Sequence, residues 1–454
     1  DGEILVTGTA SDNAGVKLVE VAVNDGPFVA AKGTTSWQTS ITDMKDGMNT
    51  ITVRAIDDAG NIESASALFR LKSLGVVTTS WKGLHGVNFI DPVLRTSGNQ
   101  HLGADPAFVN RMVDAAADAD FNVFRIPIRW NAYVYNEDNF VDELDLIART
   151  ANDNGIAVWV EFHHFDTTSH WKFYNGNRVL ESAGNGFPEF VVKCYVVDPD
   201  KSYERDPAVL QFWDDYYANK VKNSINNCEG IRDVWEDQAS FMEAMIQKID
   251  HYPSVLGYEI LNEPHVWRDS HYDRLGDLHT VIGGKLREST DKTIIFTRET
   301  AHGYNTADGG KYSRRVSLED RILPRIEGEI RYIPHLYDLE EIEQHIGNWK
   351  SFQKEWRASV DLTHPSGYDV LMGVGEWATQ PPQLTAGSAV TQKNMDGFVS
   401  VWAREDAASS NGFPVTYWAF GICCSGEGNR LVNDDGTLTE AGRYYKNAIA
   451  KYYK

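Results

Sequence analysis

A chain of 454 residues exceeds one ordinary domain, so two domains, or one large domain with an appendage, are expected. Its composition, 42% hydrophobic and 24% charged, is that of a globular protein able to bury a core. A net charge of -22 argues against nucleic-acid or anionic-membrane partners, since nothing would neutralise their phosphates; high solubility or a saline habitat explains the acidity as well.

The chain begins at Asp1 with neither an initiator Met nor a signal peptide, which reads as a mature or trimmed form. No apolar run reaches the length of a membrane span, so no membrane insertion is expected. Residues 1–72 carry short alternating runs (ILVTGTA, KLVEVAVN, NTITVRAID, SALFRLK) separated by SDNAG, NDGP, KDGM and DDAGN. Period-two alternation with Gly, Asn and Asp punctuation predicts a small all-β sandwich. The strings TGTASDNAGVKLVEVAVNDG and NTITVRAIDDAGN resemble bacterial immunoglobulin-like modules, here without the antibody-type disulfide. That resemblance implies a spacer or docking surface, with carbohydrate binding as a lesser alternative. Residues 73–81 read as a linker.

From residue 82 to 454, short β-rich runs alternate with longer amphipathic stretches. The predicted strands are LHGVNF (84–89), NVFRIPI (122–128), IAVWVEF (156–162), VLGYEIL (255–261), KTIIFT (292–297), EIRYIP (329–334), DVLMGVG (369–375) and PVTYWAF (414–420). Between them PAFVNRMVDAAADAD, VDELDLIARTANDNG and QASFMEAMIQKIDHY repeat apolar residues every three or four positions, and the second ends in a helix-stopping Asn-Gly. This order predicts a (β/α)8 TIM barrel of the α/β class. An open doubly wound sheet would want a Gly-rich phosphate turn after its first strand, and HGVNFIDPVL supplies none.

A long insertion at about 164–234 follows the third strand. It is rich in aromatics, including His170, Trp171, Phe173, Tyr174, Phe187, Phe190, Tyr195, Trp213, Tyr216 and Tyr217. Loops after barrel strands sit on the catalytic face, so the insertion is expected to wall a substrate cleft. It holds Cys194 and Cys228, for which a bridge and two free thiols are equally open; the vicinal Cys423 and Cys424 are undecided too. Asp198, Asp200, Glu204 and Asp206 are spaced loosely like calcium ligands, but they match an EF-hand loop poorly and read as a solvated acidic turn.

In a parallel barrel the strand C-termini converge, so polar residues ending apolar strands are the functional candidates. Here they are Arg125, His163, His164, Asn262, Glu263, His335, Tyr337, Glu376 and Trp418. Two carboxylates delivered to one pocket are what glycoside hydrolysis requires. The ordered series of Arg, His, Asn-Glu-Pro, His-x-Tyr, Glu and Trp at successive strand ends resembles glycoside hydrolase family 5, over roughly residues 82–454.

The resemblance implies Glu263 as general acid/base and Glu376 as nucleophile of a retaining mechanism, with carboxyl groups about 5–5.5 Å apart. It implies that Arg125 and Tyr337 hold Glu376, that Asn262 donates to the sugar 2-hydroxyl, that His163 and His335 orient the sugar or the acid, and that Trp418 stacks under a pyranose. Glu259 reads as a buried partner of Arg298, and Trp130, Trp267 and Trp377 read as packing residues. No metal or other cofactor is expected, because no two histidines share a helix face beside a carboxylate. The expectation is a secreted, monomeric endo-β-1,4-glucanase acting on a β-linked polysaccharide or oligosaccharide. Alternatives are a mannanase, a xyloglucanase or a glycolipid-directed glycosidase of the same family, and a non-catalytic carbohydrate-binding protein built on the same barrel.

Overall fold

The structure is a computed structural model that describes residues 4–24, 26–42, 44, 47–71, 79–95, 105–164, 169–174, 177–181, 186–197, 207–264, 266, 268–297, 322–336, 339–358, 370–379, 390–420 and 430–453. The chain divides into two compact units, Asp1–Gly75 and Val76–Lys454.

The first unit is a β-sandwich. Ile4–Thr9 pairs antiparallel with Ser36–Ile41, and a second antiparallel sheet has the order Val29–Ala30, Val16–Val23, Gly47–Asp57, Ile62–Leu71. Alternation decides which side chains turn inward: Val19, Val21 and Trp37 are buried, with Val6, Ile51, Val53 and Ala55 packed against them. The DDAGN stretch turns on Asp57, whose carboxylate accepts the Asn61 backbone N–H at 2.8 Å.

The second unit is a parallel barrel whose eight strands fall on the eight predicted runs: His85–Phe89, Val123–Ile128, Ala157–Phe162, Val255–Glu259, Thr293–Phe296, Ile330–Tyr332, a seventh in two pieces, and Val415–Phe420. The seventh breaks at Gly373. Leu371–Met372 pairs with the sixth strand and Val374–Trp377 with the eighth, so the break is where the barrel closes. Strands buried along their whole length, between filled interior and surrounding helices, explain why the runs are continuously apolar.

Several of the helices start at a side-chain cap. Asp105 accepts the Phe108 N–H ahead of Pro106–Asp118, Asp233 caps Val234–Ile249, and Thr391 caps Gln392–Ala408. At the N-terminal end of the barrel interior, Trp81, Leu84, Val123, Ala157, Trp159, Leu256, Ile295 and Ile333 form an apolar plug. Among the described residues no helix is long and apolar enough to cross a membrane.

In the insertion, Ser169–Tyr174 pairs antiparallel with Asn177–Glu181, and helix Pro207–Tyr217 follows. Cys194 and Cys228 form a disulfide with Cα atoms 5.7 Å apart, resolving one alternative the spacing left open. Phe187, Tyr195, Trp213, Tyr216 and Tyr217 are buried in the main core, and Phe190 packs on it. Much of the aromatic richness of this segment is therefore packing that lets a long loop fold on its own apolar centre. The acidic cluster Asp198, Asp200, Glu204 and Asp206, and Cys423 and Cys424, lie outside the described residues.

Candidate active site

Arg125 is the hub of the strand-end layer. It stands on the second strand with no exposed surface, yet all five of its guanidinium N–H groups have acceptors. Nε and Nη2 donate to Glu259 at 2.9 and 2.8 Å, Nη2 also to Asn262 Oδ1 at 2.8 Å, and Nη1 to Asn88 Oδ1 at 2.9 Å and Glu376 Oε1 at 2.8 Å. Burial works against its charge, but Glu161, Glu259 and Glu376 outweigh burial and hold the guanidinium well above its ordinary pKa. Glu259 is thus an interior ion-pair residue as its alternation implies, but its partner is Arg125; Arg298 lies outside the described residues.

Glu376 has one oxygen tied to Arg125 and the other, Oε2, 3.5 Å from His335 Nδ1. His335 Nδ1 also lies 2.7 Å from Glu263 Oε1. Burial pushes the His335 imidazole down to about 4, Glu376 opposing and Arg125 adding to the effect, so the ring is neutral at neutral pH. A neutral ring at that position can accept a proton-bearing Glu263 or donate to an ionised one. One oxygen of Glu263 and one of Glu376 lie within 4.8 Å of each other. That close approach suits direct attack on a sugar carbon better than the roughly 6.5–9.5 Å separation that admits a water between carboxyl groups.

Glu263 follows the fourth strand with φ of 36°, a left-handed conformation rare outside glycine. Asn262 beside it donates Nδ2 to the His164 carbonyl at 2.8 Å, and its own backbone N–H bonds the Phe162 carbonyl, so the ladder runs past the strand ends into the site. His163 meets Glu161 Oε1 through Nδ1 at 2.6 Å and stacks on Trp418 with centroids 5.6 Å apart and planes 9° from parallel. One face of Trp418 is therefore taken by His163, and the peptide bond that follows, Trp418–Ala419, is cis. His164 turns away to pack on Trp213 and Phe187. Trp130 and Trp377 are buried against Phe241 and Phe398 respectively. Tyr337 and Trp267 lie outside the described residues.

Gly375, just before Glu376, has no room for a side chain. A Cβ there would lie 2.8 Å from Ile333 Cγ2, 3.2 Å from His335 Nε2 and 3.3 Å from Arg125 Nε. Its carbonyl accepts from Asn88 Nδ2 and Thr416 Oγ1, which fixes the backbone that carries Glu376.

The family model for cellulase, glycosyl hydrolase family 5, matches residues 91–423, well over half of the chain. The chain belongs to glycoside hydrolase family 5. It is also similar to an endoglycoceramidase of Cyanea nozakii, 38% identical over an alignment of 241 residues that covers 44% of this chain and 45% of that protein. An endoglycoceramidase of Hydra vulgaris is 30% identical over 139 residues, 29% of this chain and 26% of that one. The chain thus spans less than half the length of these relatives. The fold matches endo-glycoceramidase II from Rhodococcus sp., solved as a lactosyl-enzyme intermediate, with a TM-score of 0.54 at 16% identity over 80% of this chain and 78% of that one.

Two residues of this family-5 site escaped the strand-end search, Asn88 and Glu161. Both are buried one position before the last residue of their strands, and the available signal was alternation: Glu161 sits two positions before His163 and so shares its inward face. Among the described residues no two histidines share a helix face beside a carboxylate, but the barrel assembles Glu161, His163 and Glu376, and also Glu263, His335 and Glu376, from different strands with side-chain N and O atoms within 4.8 Å. Both sets contain Glu376, and the Arg125 guanidinium beside it already supplies the positive charge a divalent cation would bring.

Proposed function

We propose that this family-5 enzyme is a retaining β-glycosidase directed at glycolipids, releasing the glycan from its ceramide. The observation that carries the substrate class is the 38% identity to the Cyanea nozakii endoglycoceramidase. The endo-β-1,4-glucanase reading stands second and rests on the cellulase family model.

In this reading Glu376 is the nucleophile. Its Oε1 is held by Arg125, which keeps the carboxylate ionised and leaves Oε2 to attack the anomeric carbon. Glu263 protonates the departing oxygen, then as carboxylate takes a proton from the water that opens the glycosyl-enzyme. His335, neutral and bonded to Glu263 Oε1, fixes that carboxyl through both half-reactions. Asn262, oriented by Arg125 and the His164 carbonyl, donates to the sugar 2-hydroxyl, while His163 and Trp418 hold the ring from the side.

The deciding experiment incubates the protein with lactosylceramide, ganglioside, carboxymethylcellulose, mannan and xyloglucan and separates the products. Free glycan and ceramide from the lipids, with the β-anomer formed first by NMR, is the expected result; cleavage of the polysaccharides alone would move the assignment to the second reading. Glu263→Ala and Glu376→Ala should each abolish turnover, and azide with an activated substrate should give the α-glycosyl azide only from Glu376→Ala.

The proposal includes an extracellular location, supported by the Cys194–Cys228 bridge, since disulfides persist in oxidising compartments, and a monomeric state. Residues 1–72 are taken as a separable immunoglobulin-like spacer. Removing residues 1–75 should leave turnover of a soluble substrate unchanged.

A further inference from the structure

We propose that Glu161 is a positioning residue: it fixes the His163 ring through Nδ1 and, by its charge, sets the pH at which Glu376 ionises. The inference rests on the catalytic reading above. Glu161 lies on the third strand, buried and opposite Glu259 in the ladder. Its Oε1 lies 2.6 Å from His163 Nδ1 and 3.3 Å from Arg125 Nη1.

A purely structural purpose would be to satisfy Arg125, but that need is already met. The guanidinium spends its N–H groups on Glu259, Asn262, Asn88 and Glu376, and none is left for Glu161. Burying a further carboxylate beside two others is costly, and replacing it by a neutral group would relieve that cost. What Glu161 does is local. A carboxylate can only accept, so its bond to Nδ1 requires the proton there and leaves Nε2 as the atom that meets a ligand. Its stacking partner Trp418 then holds the ring plane.

The charge acts on Glu376, one oxygen of which lies within 4.8 Å of a Glu161 oxygen. Among the described residues, the titratable groups around Glu376 are Arg125 from the second strand, Glu161 and His163 from the third, Glu259 and Glu263 from the fourth and His335 from the sixth. A like charge at that distance disfavours ionisation, so it raises the pH at which the nucleophile becomes active.

The test compares wild type, Glu161→Gln and Glu161→Asp in kcat/KM against pH on an aryl β-glycoside. Glu161→Gln removes the charge and keeps the shape; the acidic limb should move down by about one pH unit. Glu161→Asp should return the limb toward wild type. An unmoved limb in folded Glu161→Gln overturns the inference. Independently of any variant or substrate, nitrogen NMR of the wild type should find the His163 proton on Nδ1, and a bare Nδ1 overturns it as well. If wild type cleaves no glycoside, the functional reading fails while the NMR measurement still decides the His163 geometry.

Discussion

Each end of the barrel buries an arginine, and the two are treated in opposite ways. Arg125, at the C-terminal end, is ringed by Glu161, Glu259 and Glu376, which hold its charge well above the ordinary value against burial. Arg331, on the sixth strand, meets backbone carbonyls of Met372, Gly412 and Asn411 at 3.0–3.2 Å and lies 4.7 Å over the Trp81 ring. Burial pushes it down to about 10, with Glu329 at 3.6 Å only partly compensating. The first arginine spends its donors on side chains, the proposed nucleophile among them; the second spends them on the chain itself. An arginine that holds the proposed nucleophile and one that locks backbone thus differ in what accepts from them. This is the division between functional and stabilising faces expected of such barrels.

The largest effect should come from Arg125→Lys. A lysine has no planar fork, so it cannot bridge Glu259 and reach Glu376 together. On the order of a 10²–10³-fold fall in kcat is expected, as for loss of one preorganised donor to a reacting group. Stability should fall too, because buried carboxylates lose their partner. Retention of half the wild-type kcat would erase the contrast between the two ends.

Arg331→Met sharpens it from the other side. Three carbonyls lose a donor in a buried setting, which costs on the order of 1–3 kcal/mol of stability. Thermal melting should drop while kcat stays within about twofold, because no acceptor of Arg331 is a proposed reacting group. A parallel fall in kcat at a temperature where the variant is fully folded would mean that the plug end couples to the site.

How much of this was legible in the chain follows the same division. Glu263, Glu376, His163 and His335 stand at strand ends, where an apolar run stops and a polar residue is conspicuous. Their convergence needed only the eight strands in order. Glu161 and Asn88 were hidden because a charged or amide residue inside an apolar run reads as an irregularity until its partner is known. Glu259 was read correctly as an interior residue, but its bond to Arg125 went unseen because Arg125 reaches it across the barrel from the second strand; Arg298 lies outside the described residues. The break at Gly373 was invisible, because a two-residue strand and its neighbour read as one run. The buried aromatics of the insertion show the converse limit, since composition alone does not separate an inward-facing ring from a cleft wall.

The smallest effect concerns buried acids without an arginine. Asp91, following the first strand, and Glu143, on helix Glu137–Asp153, are both fully buried and their carboxyls interact with each other. Among the described residues neither has a cationic partner. Burial pushes Asp91 up to about 6; burial and the neighbouring Asp91 push Glu143 up to about 8. The sign follows from proton counting. The folded state holds protons that the unfolded chain has released by about pH 4–5, so stability present at low pH is lost as pH rises toward 8. Wild-type melting temperature should therefore decline between pH 5 and 8 through this pair. Glu143→Gln keeps a donor to Asp91 and removes the titration, so its decline should be shallower by on the order of 1 kcal/mol across that window, with kcat unchanged. Equal slopes in thermal melts of the two proteins would mean that the pair is ionised in the fold. A buried carboxyl could then be held charged at this end of the barrel without the arginine that Glu376 requires.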